Sequence, residues 1–242
     1  MSAESYDVVV VGGGTGGAFA AATTSTAGLD TVILERKPAE AAGHIACGDA
    51  IKGTATFPEV IDLDYLKEES FTNQSVMRAV FENPLTDEDI EIGFRGPGAV
   101  LDRKRYGEVI LEEAQRLGSE IHYDTVVQDV TQAADGTVTG VTGTRQGEAV
   151  SYEAEVVIDA AGALSILQEK TDFAGTHFDT NVRYSQFCSA YREVIEVDEP
   201  VPWTTRSCSN RPRNWGISGI SPAPPPRLTS ASASRWTNPR CR

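Results

Sequence analysis

The order of apolar and polar positions predicts three strands that are buried on both faces. Residues 8–11 are four valines, residues 31–34 read TVIL, and residues 155–159 read EVVID. Continuous runs of β-branched and aliphatic residues are typical of parallel strands that helices cover on both sides. We therefore expect residues 8–11, 31–34 and 156–159 to be neighbouring strands of one parallel sheet in an α/β fold.

Other segments have the period of helices or of strands with one buried face. Residues 15–28 are alanine-rich and end at a glycine, and residues 102–117 have apolar residues at helical spacing. Alternating patterns predict antiparallel strands in segments 76–82, 89–95, 121–130, 137–144, 149–152 and 181–197. The Gly-Pro-Gly sequence at 96–98 predicts a break in the chain. The pattern indicates a parallel α/β domain followed by the beginning of a second, antiparallel sheet.

A glycine-rich turn connects the first predicted strand to the first predicted helix. Gly12, Gly14 and Gly17 fit the spacing G-x-G-x-x-G, after a strand and at the start of a helix, as this pattern requires. Gly12 would allow the tight turn, Gly14 would let a pyrophosphate approach the backbone, and Gly17 would let the helix pack on the strand. The N–H groups at the positive end of the helix would bind the pyrophosphate. The pattern predicts a Rossmann-like dinucleotide site.

An acidic residue follows the second predicted strand. Glu35 lies 23 positions after Gly12, close to the spacing of about 20 residues expected for an acid that binds the two hydroxyls of a ribose. The alternative is that Glu35 is only the solvated end of a strand. Its carboxylate would repel a 2′-phosphate and so disfavours NADP, although Arg36 and Lys37 follow directly and weaken that argument.

Three further residues are candidates whose roles the sequence leaves open. Cys47 lies in a loop of small residues and is either near the reactive part of a cofactor or a small buried side chain. Arg103, near the start of the helix at 102–117, either reaches a cofactor or stays solvated. Asp159 ends a buried strand and either lies close to the first glycine loop or belongs to an ordinary strand-to-helix turn.

Composition and charge narrow the class of protein. The 242 residues carry a formal net charge of −14, and such an acidic surface argues against nucleic-acid binding. The chain has only five lysines, and an acidic surface with few lysines is typical of proteins adapted to a salt-rich cytoplasm. The alternative is an ordinary acidic protein. Four cysteines without C-x-x-C spacing predict no metal site. The chain has no run of about 18 apolar residues and no room for a signal peptide before the first strand, so we expect a cytoplasmic protein.

The character of the chain changes after Glu199. Residues 201–242 contain seven arginines, seven prolines and no acidic residue, and this composition predicts disorder. Acidic residues stop abruptly, and the Arg, Ser, Pro, Thr and Ala that replace them are what GC-rich codons encode when read out of frame. The sequence predicts that the reading frame is lost close to Trp203. The alternative is a genuine basic tail.

Four stretches together resemble one family of flavoproteins. They are DVVVVGGGTGGAFAA with ILERK, the loop GHIACGDAI, the helix region VLDRKRYGEVILEEAQRLGSEI, and VVIDAAGALS. The pattern is similar to the FAD-dependent geranylgeranyl reductases, within the larger group that includes the aromatic hydroxylases, and the similarity covers about residues 6–197. The resemblance implies an FAD-binding domain at 1–175, with the 70–100 hairpin belonging to the sheet of a substrate domain. That domain would begin at 176–200, and the tail would occupy 201–242.

The resemblance also implies a set of cofactor contacts. FAD would place its pyrophosphate over residues 12–17 and its adenosine ribose at Glu35, beside Arg36. The adenine would contact the backbone around Val126 and Val127, and Asp159 would lie near the glycine loop. Arg103 would approach the flavin end of the cofactor. Cys47 would lie near the isoalloxazine ring.

For activity, the resemblance implies reduction of prenyl double bonds by hydride from the reduced flavin. The substrate would be an isoprenoid lipid, and an external donor, NAD(P)H or ferredoxin, would supply the electrons. The protein could also contact a membrane peripherally. The chain departs from the family in two motifs: it has no Gly-Asp after Asp159 and no Tyr-x-Trp-x-Phe-Pro core. The alternatives are a flavin monooxygenase or another flavoprotein dehydrogenase, and an inactive nucleotide-binding fragment.

Overall fold

The computed structural model describes residues 3–44, 49–51, 57–83, 88–163, 165–178, 206–210, 216–222 and 229–235. The chain forms two compact units. The first unit comprises Met1–His44, Pro58–Leu66 and Gly107–Asn181, and the second comprises Ile45–Phe57, Lys67–Tyr106 and Val182–Arg242.

The described residues contain twelve strands and four α-helices, besides a short 3-10 turn at Ala39–Ala41. The strands are β1 (Glu4–Val11), β2 (Thr31–Leu34), β3 (Ala50–Ile51), β4 (Phe71–Asn83), β5 (Glu88–Leu101), β6 (Glu120–His122), β7 (Thr125–Gln132), β8 (Val138–Arg145), β9 (Glu148–Asp159), β10 (Arg206–Asn210), β11 (Gly216–Pro222) and β12 (Thr229–Arg235). The helices are α1 (Thr15–Thr26), α2 (Leu63–Ser70), α3 (Arg103–Arg116) and α4 (Ile166–Lys170).

The first unit is built on a six-stranded sheet in the order β6-β2-β1-β9-β8-β7. β1 is parallel to β2 and to β9, and the register places Val11 beside Leu34 on one side and beside Asp159 on the other. The side chains of Val9 and Val10 are completely buried, as expected for a strand inside a covered parallel sheet. The prediction that the three apolar runs are neighbouring strands of one sheet is confirmed.

The rest of this sheet is antiparallel. β8 pairs antiparallel with both β7 and β9, as the alternating patterns predicted. The long strand β9 serves both parts of the sheet, because its first half pairs with β8 and its second half pairs with β1. The same strand therefore delivers Asp159 to the end of β1.

The helices begin and end close to their predicted limits. α1 buries Ala18, Phe19, Ala21 and Ala22, and Gly28, at φ +86°, follows its end in the left-handed conformation that glycine adopts without a steric penalty. α3 covers Arg103–Arg116, within one residue of the predicted helix at each end. The predictions for both helices are confirmed.

Two details of the chain path differ from the prediction. The single strand predicted at 121–130 is split into β6 and β7, because Asp124 adopts a left-handed conformation with φ +53° and turns the chain. The predicted break at residues 96–98 is wrong, since β5 continues through them. Its pairing with β4 instead shifts from Arg78↔Gly93 to Val76↔Gly98, and such an irregularity accommodates a proline that cannot donate to the ladder.

The second unit contains an antiparallel sheet in the order β3-β5-β4. β4 and β5 form the predicted hairpin, longer at both ends than the alternating pattern indicated. A second antiparallel sheet, β10-β11-β12, occupies part of the tail for which composition predicted disorder. Its strands are rich in serine and other small residues, which fit extended backbone even without an apolar period. The sheet predicted at 181–197 and the change of frame near Trp203 lie outside the described residues.

Candidate functional site

The carboxyl ends of β1, β2 and β9 are tied together at one edge of the sheet. The N–H of Gly12 donates to the carbonyl of Leu34 at 2.9 Å, and the N–H of Ala160 donates to the carbonyl of Val11 at 2.9 Å. Gly12 has φ +107°, and a Cβ on it would overlap the carbonyl oxygen of Ala160. Only glycine fits at this position, because both the conformation and the space exclude a side chain.

Gly17 is required for a different reason. A Cβ at this position in the first turn of α1 would overlap the carbonyl oxygen of Gly12 and lie 3.2 Å from the Cβ of Ala160. The helix therefore packs directly on the turn that ends β1. This is the close helix–strand approach that the third glycine of the pattern predicts.

The space over Gly14 is open. A Cβ on Gly14 or on Gly16 would meet no atom of the described residues within 4 Å. Gly14 is the N-cap residue of α1 and has no side chain that could cap the helix. All residues of the first turn of α1 are described, and none of them is acidic. Open space of this kind at the positive end of a helix fits an anionic pyrophosphate.

Glu35 is buried beside this space, with 7% of its surface exposed. One carboxylate oxygen, Oε2, accepts the N–H of Gly13 at 2.7 Å, and the other, Oε1, accepts the N–H of Lys37 at 2.8 Å. Glu35 is therefore not a solvated strand end. A carboxylate has about four acceptor positions, so both oxygens keep capacity for the hydroxyls of a ribose. The open cradle and the buried carboxylate together fit the adenosine diphosphate part of FAD.

The other predicted residues of the first unit lie at the same edge. Asp159 is exposed, and its carboxylate accepts the N–H of Ala161 at 3.2 Å and the side-chain amide of Gln168 at 3.0 Å. Val126 and Val127 follow Thr125, whose N–H donates to the carbonyl of Glu35 at 2.9 Å. The backbone of these two valines therefore lies within two residues of a direct bond to Glu35. The side chain of Arg36 is exposed.

Arg103 and Cys47 are the two remaining predicted residues. Arg103 lies in the second unit, where its guanidinium carbon is 4.5 Å from the centre of the Tyr106 ring. It is half-buried on an aromatic face, a favourable position for a cation, and so it is not a freely solvated arginine. Cys47 lies outside the described residues.

Sequence reasoning missed a contact between two glycines. Gly43 has φ +76°, a Cβ on it would lie 2.9 Å from the N of Glu108, and a Cβ on Gly107 would overlap the backbone of Gly43. The loop after β2 thus touches α3 backbone to backbone. The signal was present in the sequence, because a glycine inside a helix costs about 1 kcal/mol relative to alanine and so points to a close approach.

Tyr123 was also missed. Its ring lines a cavity of about 200 Å³ together with residues of α3 and of the loop after β2. Burial raises the pKa of the Tyr123 phenol, and the nearby carboxylates of Glu35 and Glu112 raise it further. The phenol therefore stays protonated at neutral pH and remains a hydrogen-bond donor beside the acid that the sequence singled out.

No helix in the described ranges is long and apolar enough to cross a membrane. The same ranges contain no group of three or more His, Cys, Asp or Glu side chains placed to hold a metal ion.

Comparison with known proteins gives consistent matches. A family model described as FAD dependent oxidoreductase matches residues 7–170. Digeranylgeranylglycerophospholipid reductase from Methanocella arvoryzae is 30% identical over 166 residues, which are 66% of this chain and 40% of that protein. The chain thus spans well under half the length of this relative. These matches confirm the resemblance and the cofactor that the motifs indicated.

Solved structures share the fold. A geranylgeranyl bacteriochlorophyll reductase-like protein from Thermoplasma acidophilum superimposes with a TM-score of 0.71 at 21% identity, covering 97% of this chain and 57% of that chain. A myxobacterial chondrochloren halogenase superimposes with a TM-score of 0.70 at 19% identity, covering 97% of this chain and 53% of that one. The predicted Rossmann-like architecture is confirmed.

Proposed function

The chain belongs to the FAD-dependent oxidoreductase family, and we propose that it reduces carbon–carbon double bonds of isoprenoid membrane-lipid precursors. The open space over Gly14, beside the buried carboxylate of Glu35, is the observation that supports cofactor binding here. The similarity to a digeranylgeranylglycerophospholipid reductase supports the choice of substrate. The reaction would take place in the cytoplasm or at a membrane surface.

Each residue of the site has a proposed role. The N–H groups after Gly12, along the turn that Gly14 leaves open, bind the pyrophosphate, and Gly17 lets the helix pack on that turn. Glu35 accepts hydrogen bonds from the two ribose hydroxyls, and the exposed cation of Arg36 lies next to it in sequence and offsets its charge. The backbone of Val127 contacts the adenine.

Two roles belong to the flavin end of the cofactor, and one belongs to the turn beside the glycines. Arg103 approaches the flavin end with its guanidinium held on Tyr106. Cys47 would lie near the isoalloxazine ring when FAD is bound. Asp159 closes the turn at Ala161 through its carboxylate and so keeps Ala160 against the glycine loop.

The cofactor would supply the hydride for the alkene, and the protein would hold the alkene in position and exclude water. An external donor, NAD(P)H or ferredoxin, would return the electrons. We propose that residues 1–175 bind the cofactor and that a substrate domain, which includes the hairpin at 70–100, begins again at 176–200. The whole activity would need parts that the relatives have beyond the region of similarity, which covers 40% of the reductase from Methanocella.

The test separates reduction from oxygenation. The purified 242-residue protein, loaded with FAD, is given either dithionite and digeranylgeranylglyceryl phosphate or NAD(P)H and oxygen. Mass spectrometry that shows product heavier by two hydrogens per double bond supports the proposal. Substrate-dependent oxygen uptake without saturation would favour a monooxygenase, and the halogenase fold neighbour makes chloride a useful addition to that arm. A protein that binds FAD but turns over in neither assay would be a nucleotide-binding fragment.

A further inference from the structure

The main chain of Glu35 is held from both sides by one short turn. The N–H of Glu35 donates to the carbonyl of His122 at 3.0 Å, and its carbonyl accepts the N–H of Thr125 at 2.9 Å. The turn also donates from the N–H of Asp124 to the carbonyl of Lys37 at 3.2 Å. Three backbone hydrogen bonds thus connect residues 122–125 to the end of β2.

The turn depends on the conformation of Asp124. With φ +53°, this residue reverses the chain between β6 and β7, which lets His122 and Thr125 bond to the same residue. Aspartate visits this left-handed region more readily than most side chains, whereas a β-branched residue is strained there. The carbonyl of Asp124 accepts the N–H of Gln146 at 3.1 Å, which attaches the turn to the hairpin between β8 and β9.

The turn controls the carboxylate of Glu35 through its backbone. The carboxylate accepts the N–H of Gly13 at 2.7 Å and the N–H of Lys37 at 2.8 Å, so a shift of the main chain at residue 35 would move both bonds. A carboxylate displaced toward or away from the glycine turn would meet the ribose hydroxyls at poorer distances and angles, and hydrogen bonds weaken steeply with misalignment.

We propose that the left-handed turn at Asp124 is a positioning element that sets how strongly Glu35 binds the adenosine ribose. The inference rests on the proposed function, because it assumes that Glu35 contacts the ribose of FAD. Asp124 itself acts through Glu35. Its side-chain chemistry is secondary, since the requirement is for a residue that tolerates a positive φ.

The experiment compares two ligands in one set of variants. Dissociation constants for FAD and for FAD with 2′-deoxyadenosine are measured by quenching of flavin fluorescence. We expect the native protein to prefer FAD by about ten-fold or more, because hydrogen bonds to a charged acceptor are among the stronger ones. Asp124→Val should reduce this preference several-fold, and Asp124→Gly, which removes the strain, should restore it.

A matched control separates positioning from general damage. Gly136 also has a positive φ, +88°, lies in the turn between β7 and β8, and has open space where a Cβ would project. Gly136→Val therefore introduces similar strain without touching residue 35, and the preference for FAD should stay at the native value. If Asp124→Val does not fold, Asp124→Ala provides the same test with less strain.

The outcomes distinguish the two hypotheses. If Asp124→Val weakens both ligands by the same factor, the turn is only structural and the inference is wrong. Glu35→Ala is measured alongside: if it keeps the native preference, Glu35 does not bind the ribose and the proposed site fails. If Glu35→Ala loses the preference while Asp124→Val keeps it, only the positioning role fails. A native protein that binds neither ligand would overturn both.

Discussion

The glycines between β1 and α1 have different roles, in folding and in cofactor binding, that single substitutions should separate. A Cβ on Gly17 would overlap the carbonyl oxygen of Gly12, whereas a Cβ on Gly14 would meet no described atom within 4 Å. Gly17→Ala should therefore damage the fold itself, and Gly14→Ala should mainly occupy space intended for the pyrophosphate. Both variants should bind FAD more weakly, but the FAD-free protein should lose much more stability in Gly17→Ala than in Gly14→Ala.

The magnitudes follow from packing and helix propensity. Forcing a methyl group against a backbone carbonyl costs about 3 kcal/mol, at the upper end for overpacked sites, and alanine regains about 1 kcal/mol within a helix. Gly17→Ala should thus lower the free energy of unfolding by about 2 kcal/mol, which corresponds to a fall in Tm of about 4–8 °C for a chain of this size. At the N-cap, Gly14→Ala should cost only about 0.5 kcal/mol.

The assay is thermal unfolding of the FAD-free protein followed by circular dichroism, together with titration of FAD by fluorescence quenching. Gly16→Ala isolates the gain in helix propensity, because its Cβ also meets open space, and it should raise the Tm slightly. Affinity for FAD should fall at least about ten-fold in Gly14→Ala, because a loss of about 1.4 kcal/mol of binding free energy raises the Kd ten-fold. Unchanged FAD affinity in Gly14→Ala, or a loss of stability as large as that of Gly17→Ala, would refute the assignment of this space.

Three further predictions concern other contacts of the first unit. Gly107→Ala should lower the free energy of unfolding by about 1–3 kcal/mol, because its Cβ would overlap the loop backbone at the glycine contact; urea unfolding measures this. Burial lowers the pKa of the His122 imidazole, so its contribution to stability is complete above the ordinary value of about 6.5 and is lost as the pH falls through the folded pKa. His122→Gln should flatten the dependence of Tm on pH below about 6.5. Glu113→Gln should cost about 1–2 kcal/mol in urea unfolding, because this buried carboxylate accepts two bonds from Arg116.

Much of the edge formed by the carboxyl ends of β1, β2 and β9 could be predicted from the local sequence. The three apolar runs, the glycine spacing and the acid after the second strand each express a requirement of one short segment, such as burial on both faces or a positive φ. Such requirements restrict the residue types at each position, and so they leave a pattern in the sequence. The same pattern predicted that β1, β2 and β9 share one parallel sheet, because continuous apolar strands are typical of a sheet that is covered on both faces.

Contacts between distant segments were decided only by the tertiary structure. The sequence could not show that Glu35 is buried against the N–H of Gly13, nor that Asp124 would divide one apparent strand so that its flanks hold residue 35. Gly107, a glycine inside a helix, signals a close approach, but only the tertiary structure shows that Gly43 is its partner and that a Cβ is excluded at both positions. A backbone hydrogen bond or a close approach between segments many residues apart depends on where the chain returns in space, and local residue preferences do not encode that position.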